Sequence, residues 1–120
     1  YKGLTENFSR QLENVVYLDL VRKFQVKNIF YANDGKEIDF IVKRPREQIF
    51  DKYQVCQELN NKNFHRETSA FLKTDEYLVG GQNILITLNN SDYKLENIVQ
   101  YNLIEFLLFT APAQTPQIPS

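Results

Sequence analysis

One cysteine, one histidine and no methionine stand among the 120 residues. A single thiol excludes an internal disulfide and every zinc cluster built on several cysteines, and it suits a reducing, cytoplasmic compartment. His65 lies between Phe64 and Arg66 with no second His or Cys nearby, so neither a metal nor a triad role is expected of it. The missing methionine extends to position 1, where Tyr1 stands; a translated reading frame opens on Met, so the chain is expected to be an excised piece of a longer protein. Excess charge is lacking too. Lys+Arg 14 against Asp+Glu 15 leaves a net charge of -1, without the global basic footprint of a dedicated nucleic-acid binder. No apolar run approaches the roughly 18 to 20 residues of a membrane span, and no signal peptide opens the chain.

What is present is ordinary for one folded domain, with 42% hydrophobic and 24% charged residues. Helical spacing of Phe8, Leu12, Val15, Val16 and Leu20 predicts a helix over 5–24, with Thr5 or Asn7 as its cap. Strands are predicted over 27–32 and 37–43, joined by a tight Asn33-Asp34-Gly35 turn. In the second strand Ile38, Phe40 and Val42 should share one face, and Glu37, Asp39 and Ile41 the other. Arg44-Pro45-Arg46 breaks that strand, and a loop is expected to run to Asp51. A third strand over 53–59 leads to a helix over 64–72, with Phe64, Thr68, Phe71 and Leu72 on its apolar side. After Gly80-Gly81, strands are expected over 83–88 and 97–101, then a helix over 103–109. Residues 110–120, with three of the four prolines, should form a flexible tail after a single domain over 1–109. Three antiparallel strands followed by a helical crossover imply an α/β fold with a mixed central sheet flanked by helices.

The chemistry-bearing residues sit on the second and third strands. Carboxylates at Glu37 and Asp39 have one parity, and Gln54 and Cys56 share a face of the next strand. Meeting on one sheet face, they give the layout of a metal-dependent phosphodiesterase site. Such a site wants lysine where Cys56 stands. A basic loop, Lys43-Arg44-Pro45-Arg46, offers phosphate contacts together with Lys62 and Arg66, although a solvated loop explains it better. Gly80-Gly81 lacks the Lys-Ser/Thr of a phosphate-binding loop, so ATP is not expected to bind this part of the chain.

Leu12-Glu13-Asn14-Val15-Val16, Asp34-Gly35-Lys36-Glu37-Ile38-Asp39-Phe40, Gln54-Val55-Cys56-Gln57-Glu58-Leu59 and Arg66-Glu67 together resemble the restriction-endonuclease-like, PD-(D/E)XK superfamily. More narrowly, the chain over about residues 8 to 109 resembles the C-terminal domain of archaeal and bacterial AAA+ family ATPases of poorly defined role. The resemblance implies an αβββαβ core and a site at Glu13, Asp39, Gln54 and, in place of the lysine, Cys56. Glu13 and Asp39 would be the carboxylates for Mg²⁺, which takes one or two carboxylates plus phosphate oxygens and water. A thiol never carries positive charge, and loss of one preorganised stabilising group costs on the order of 10² to 10³ in rate. Lys43 or Lys52 would have to supply a displaced lysine.

Three functions therefore remain open. One is a non-catalytic module that docks nucleic acid, a partner or the ATPase domain of its own chain, with ATP bound only in the ATPase part. The second is a working Mg²⁺-dependent nuclease. The third is a dimerisation or packing domain without a ligand, a homo-oligomer.

Overall fold

In the computed structural model, residues 2–31, 38–76, 78 and 80–109 are described. The predicted Asn33-Asp34-Gly35 turn, Glu37 and the tail over 110–120 lie outside them. The elements run α1 (Lys2–Lys23), β1 (Ile29–Tyr31), β2 (Phe40–Arg44), β3 (Ile49–Cys56), α2 (Phe64–Asp75), β4 (Asn83–Thr87), β5 (Val99–Asn102) and α3 (Leu103–Phe109). Five strands form one sheet in the order β1-β2-β3-β4-β5. The first three are antiparallel, and β4 and β5 add in parallel. This is the expected α/β fold: a mixed sheet flanked by helices, with the order αβββαβ followed by one more strand and helix.

Strand parity sorts the core. Phe40, Val42, Tyr53, Val55, Ile84 and Ile86 pack under Leu12, Val16 and Leu20 of α1 and Phe106 of α3. Ile41, Cys56 and Leu85 turn the other way, toward Ala70 and Phe71 of α2 and Tyr93, Leu95 and Ile98 of the β4–β5 connection. With both faces covered, β4 is buried at every position, as parallel strands usually are. At the C-terminal end of β5, Asn102 and Glu105 cap α3 reciprocally: the Glu105 N–H donates to Asn102 Oδ1 at 2.8 Å, and the Asn102 N–H donates to Glu105 Oε1 at 2.9 Å.

Several boundaries differ from expectation, each for a local reason. Helix α1 begins before Thr5, so Thr5 and Asn7 lie inside it rather than capping it. Its Phe8 and Val15 lie on the exposed side, whereas Leu12, Val16 and Leu20 are buried against the sheet. A 3₁₀ turn over Val26–Asn28 shortens β1. Strand β3 starts at Ile49, not after a loop to Asp51, because Pro45-Arg46-Glu47-Gln48 make the whole turn and Gln48 takes φ 58°. Helix α2 runs to Asp75, and Leu72 on it is 68% exposed instead of buried. Strand β2 starts at Phe40 rather than Glu37, and Ile38 packs with the α2-side cluster rather than with Phe40 and Val42. Asp39 explains this last shift: its backbone N–H donates to Gln54 Oε1 at 3.0 Å, and its Oδ2 accepts the Val55 N–H at 2.8 Å. Side-chain bonds replace the ladder there, and short Asp side chains do this readily.

The connection into β4 is pressed against the start of β3. A Cβ on Gly81 would lie 1.8 Å from the Phe50 carbonyl oxygen, so no side chain fits. The Gln82 N–H donates to Asp51 Oδ1 at 2.7 Å and secures that approach. Among the described residues, no helix is long and apolar enough to cross a membrane.

Candidate functional site

At the end of the sheet where β3 finishes and α2 begins, a cavity of about 800 Å³ opens. Glu13 from α1, Asp39 before β2, Gln54 and Cys56 from β3, and Glu67 from α2 all line it. The residues predicted to converge do converge. Two bonds set the geometry: Asp39 and Gln54 clasp β2 to β3 as described above, so the Asp39 carboxylate is held beside the last turn of strand. The far wall is fixed by asparagines. Asn60 Oδ1 accepts the Lys62 and Asn63 N–H groups, and Asn63 Nδ2 donates to the Glu58 carbonyl. These local side-chain bonds turn the chain from β3 into α2.

Burial and like charge dominate the electrostatics. Burial pushes the Asp39 carboxyl up to about 7; the Val55 N–H counteracts this, and the neighbouring Glu13 and Glu67 add to it. Glu13 is raised in turn by burial and by Glu67, with Arg10 opposing. Glu67, 7% exposed, accepts from Arg66 Nη2 at 3.0 Å. Burial, then Glu67 and Asp39, push the Cys56 thiol up to about 12. At neutral pH that thiol is protonated, neither a cation nor a nucleophilic thiolate.

Part of the donor set is engaged within the protein: Gln54 Oε1 accepts the Asp39 N–H, and Asp39 Oδ2 accepts the Val55 N–H. Among the described residues no three His, Cys, Asp or Glu side chains are placed to hold a metal ion.

The lysines expected to stand in for Cys56 are held elsewhere. Lys52 shares the parity of Gln54, but its Nζ is fully buried and bonds Asp75 Oδ1 and the Leu78 carbonyl. Lys43 pairs with Phe50 in the ladder, near the β2–β3 turn. The predicted basic loop lies at that same turn. Arg44 is engaged there with both Asp51 oxygens at 2.9 Å and with Glu47 at 3.1 Å. Strand β3 separates that end from the cavity by roughly 20 Å at about 3.3 Å per residue. Lys43, Arg44 and Arg46 are therefore not brought to the site. The cations that line the cavity are Arg66 and Lys73 on α2. Lys73 was missed, as was Glu67 as part of the acidic group. Positions 66, 69 and 73 (Arg, Ser and Lys) follow helical spacing, and that polar stripe was the available signal.

No family model matches the sequence, and no solved structure matches it significantly. An uncharacterized protein of Methanocaldococcus jannaschii is 33% identical over 113 residues, covering 89% of this chain and 25% of the relative. The chain thus spans about a quarter of the length of that curated relative.

Proposed function

We propose that this chain is a non-catalytic, nuclease-like docking module of a longer cytoplasmic ATPase of the AAA+ family, with nucleic acid as the ligand of its cavity. The observation that carries this reading is position 56. Where phosphodiester cleavage needs a cation beside the carboxylates, the cavity holds a neutral thiol, and Lys52 is committed to Asp75. What is left is a polar cleft with an acidic wall and a strip of Arg66, Ser69 and Lys73 along α2. Basic and hydroxyl side chains at one-turn spacing suit a phosphate backbone. The ATPase rests on the resemblance, and the length of the M. jannaschii relative agrees with a unit that works within a larger chain. Leu18 of α1 and Ile104 and Leu108 of α3 are exposed apolar side chains that such a neighbour could cover.

The test is DNA binding followed by fluorescence anisotropy at several salt concentrations. Affinity falls steeply with salt, and the double charge reversal Arg66→Glu, Lys73→Glu lowers it by on the order of tenfold or more. Reversing Lys43 and Arg46, at the far turn, leaves it within about twofold. Equal losses from both pairs, or no binding at low salt, contradict the reading. A working Mg²⁺-dependent nuclease is the second reading, favoured by one observation: Lys73 lines the same cavity as Asp39.

A further inference from the structure

A second, shallower groove of about 450 Å³ runs along the opposite flank of Glu13, between α1 and the β1–β2 edge. Its floor is aromatic. Tyr17 stacks on Tyr31 with ring centres 5.5 Å apart and planes 24° from parallel, and on Phe40 at 5.9 Å and 28°. Phe40 is buried and anchors the stack, whereas Tyr31, on the edge strand, is 57% exposed. Of the three rings, that of Tyr31 belongs to the most exposed residue. Arg10, Glu13, Asn14 and Tyr17 recur at i, i+3, i+4 and i+7 along α1, so one flank of the helix sets polar groups beside that floor. Glu13 lines both this groove and the acidic cavity, so the two lie on either side of one side chain.

We infer that this groove holds an unpaired base of a single-stranded nucleic acid, stacked on Tyr31. The inference rests on the docking function proposed above and narrows its ligand. Every base has a π-face, and stacking on an aromatic side chain is the usual way to hold an unpaired one. A duplex hides those faces between neighbouring pairs, so Tyr31 selects single strand over double. Asn14 carries both an amide donor and an acceptor for a base edge. Arg10, which lines the same groove, supplies a cation for the adjoining phosphate. The net charge of -1 gives little long-range attraction, so stacking has to carry a large share of the affinity.

The experiment is anisotropy of short labelled oligothymidylate and oligouridylate, and of a duplex of the same length, against the whole chain and three variants. Wild type binds both single strands more tightly than the duplex. Tyr31→Ala weakens single-strand binding by roughly ten- to a hundredfold, and Tyr31→Phe, which keeps the ring, changes it by no more than about twofold. Arg10→Gln, at an exposed helix position that leaves the aromatic stack intact, flattens the salt dependence by about one phosphate contact. Single-strand binding unchanged in both Tyr31→Ala and Arg10→Gln overturns the inference while leaving the cavity reading in place. Tighter binding of the duplex does the same. Absence of all binding at low salt overturns both.

Discussion

Replacing Asp75 with alanine costs the fold about 3 to 5 kcal/mol, more than replacing its partner Lys52 with methionine. The two ends of this ion pair differ in their surroundings. The Lys52 side chain is 0% exposed, whereas that of Asp75 is 40% exposed. Without Asp75, the ammonium keeps only the Leu78 carbonyl at 2.9 Å and is left as a buried charge without a counter-ion. Breaking a buried pair from that side falls in the range of about 3 to 5 kcal/mol. Asn83 loses an acceptor as well, since its Nδ2 donates to Asp75 Oδ2 at 3.0 Å. Lys52→Met instead fills the same space with an apolar chain and leaves a carboxylate that water can reach, at a cost of about 1 to 2 kcal/mol. Urea unfolding at neutral pH measures both. A larger loss for Lys52→Met than for Asp75→Ala would show that the pair is not buried from the lysine side.

Asp39→Asn stabilises the protein at alkaline pH. Burial pushes the folded carboxyl up to about 7, well above the ordinary carboxylate value of about 4. The native state therefore holds this proton more tightly than the unfolded chain does. Between those two pKa values the folded protein binds more protons than the unfolded one, so stability falls as pH rises from about 4 to about 7 and then levels off. The difference is on the order of 4 kcal/mol when the shift is read at about 1.4 kcal/mol per unit. Asparagine has no proton to lose, and its amide oxygen can still accept the Val55 N–H. The variant should match wild type near pH 3 and exceed it by about 2 kcal/mol or more near pH 8.5. Glu13 and Glu67 face the same carboxyl, so part of the effect belongs to the group. Unfolding curves at the two pH values decide it; parallel pH profiles for Asp39→Asn and wild type would place the charge elsewhere.

The sequence carried the convergence of Asp39 with Gln54 because strand parity and a hairpin are short-range properties. Register placed them side by side even though Asp39 itself lies just outside β2. Lys52 shows the limit of that reasoning. Its parity was read correctly, yet its partner Asp75 lies 23 residues away across a helix, and no local pattern announces such a contact. Arg44 was misread for a related reason. Its partner Asp51 faces it only once the turn closes over 45–48, and that turn also moves the basic loop to the far end of the sheet. Glu67 escaped attention as part of the acidic group because helix α2 was read for its apolar face. Its burial against Asp39 depends on how α2 lies over the end of the sheet, which spacing alone does not specify.

Supercoiled plasmid incubated with a large molar excess of the protein and Mg²⁺ or Mn²⁺ is the most direct test of a carboxylate cavity that carries a thiol in place of the lysine. The plasmid stays supercoiled, and it stays so when Cys56 is left as it is and only the metal is varied. Nicked circles that accumulate with wild type and vanish with Asp39→Ala would contradict the account.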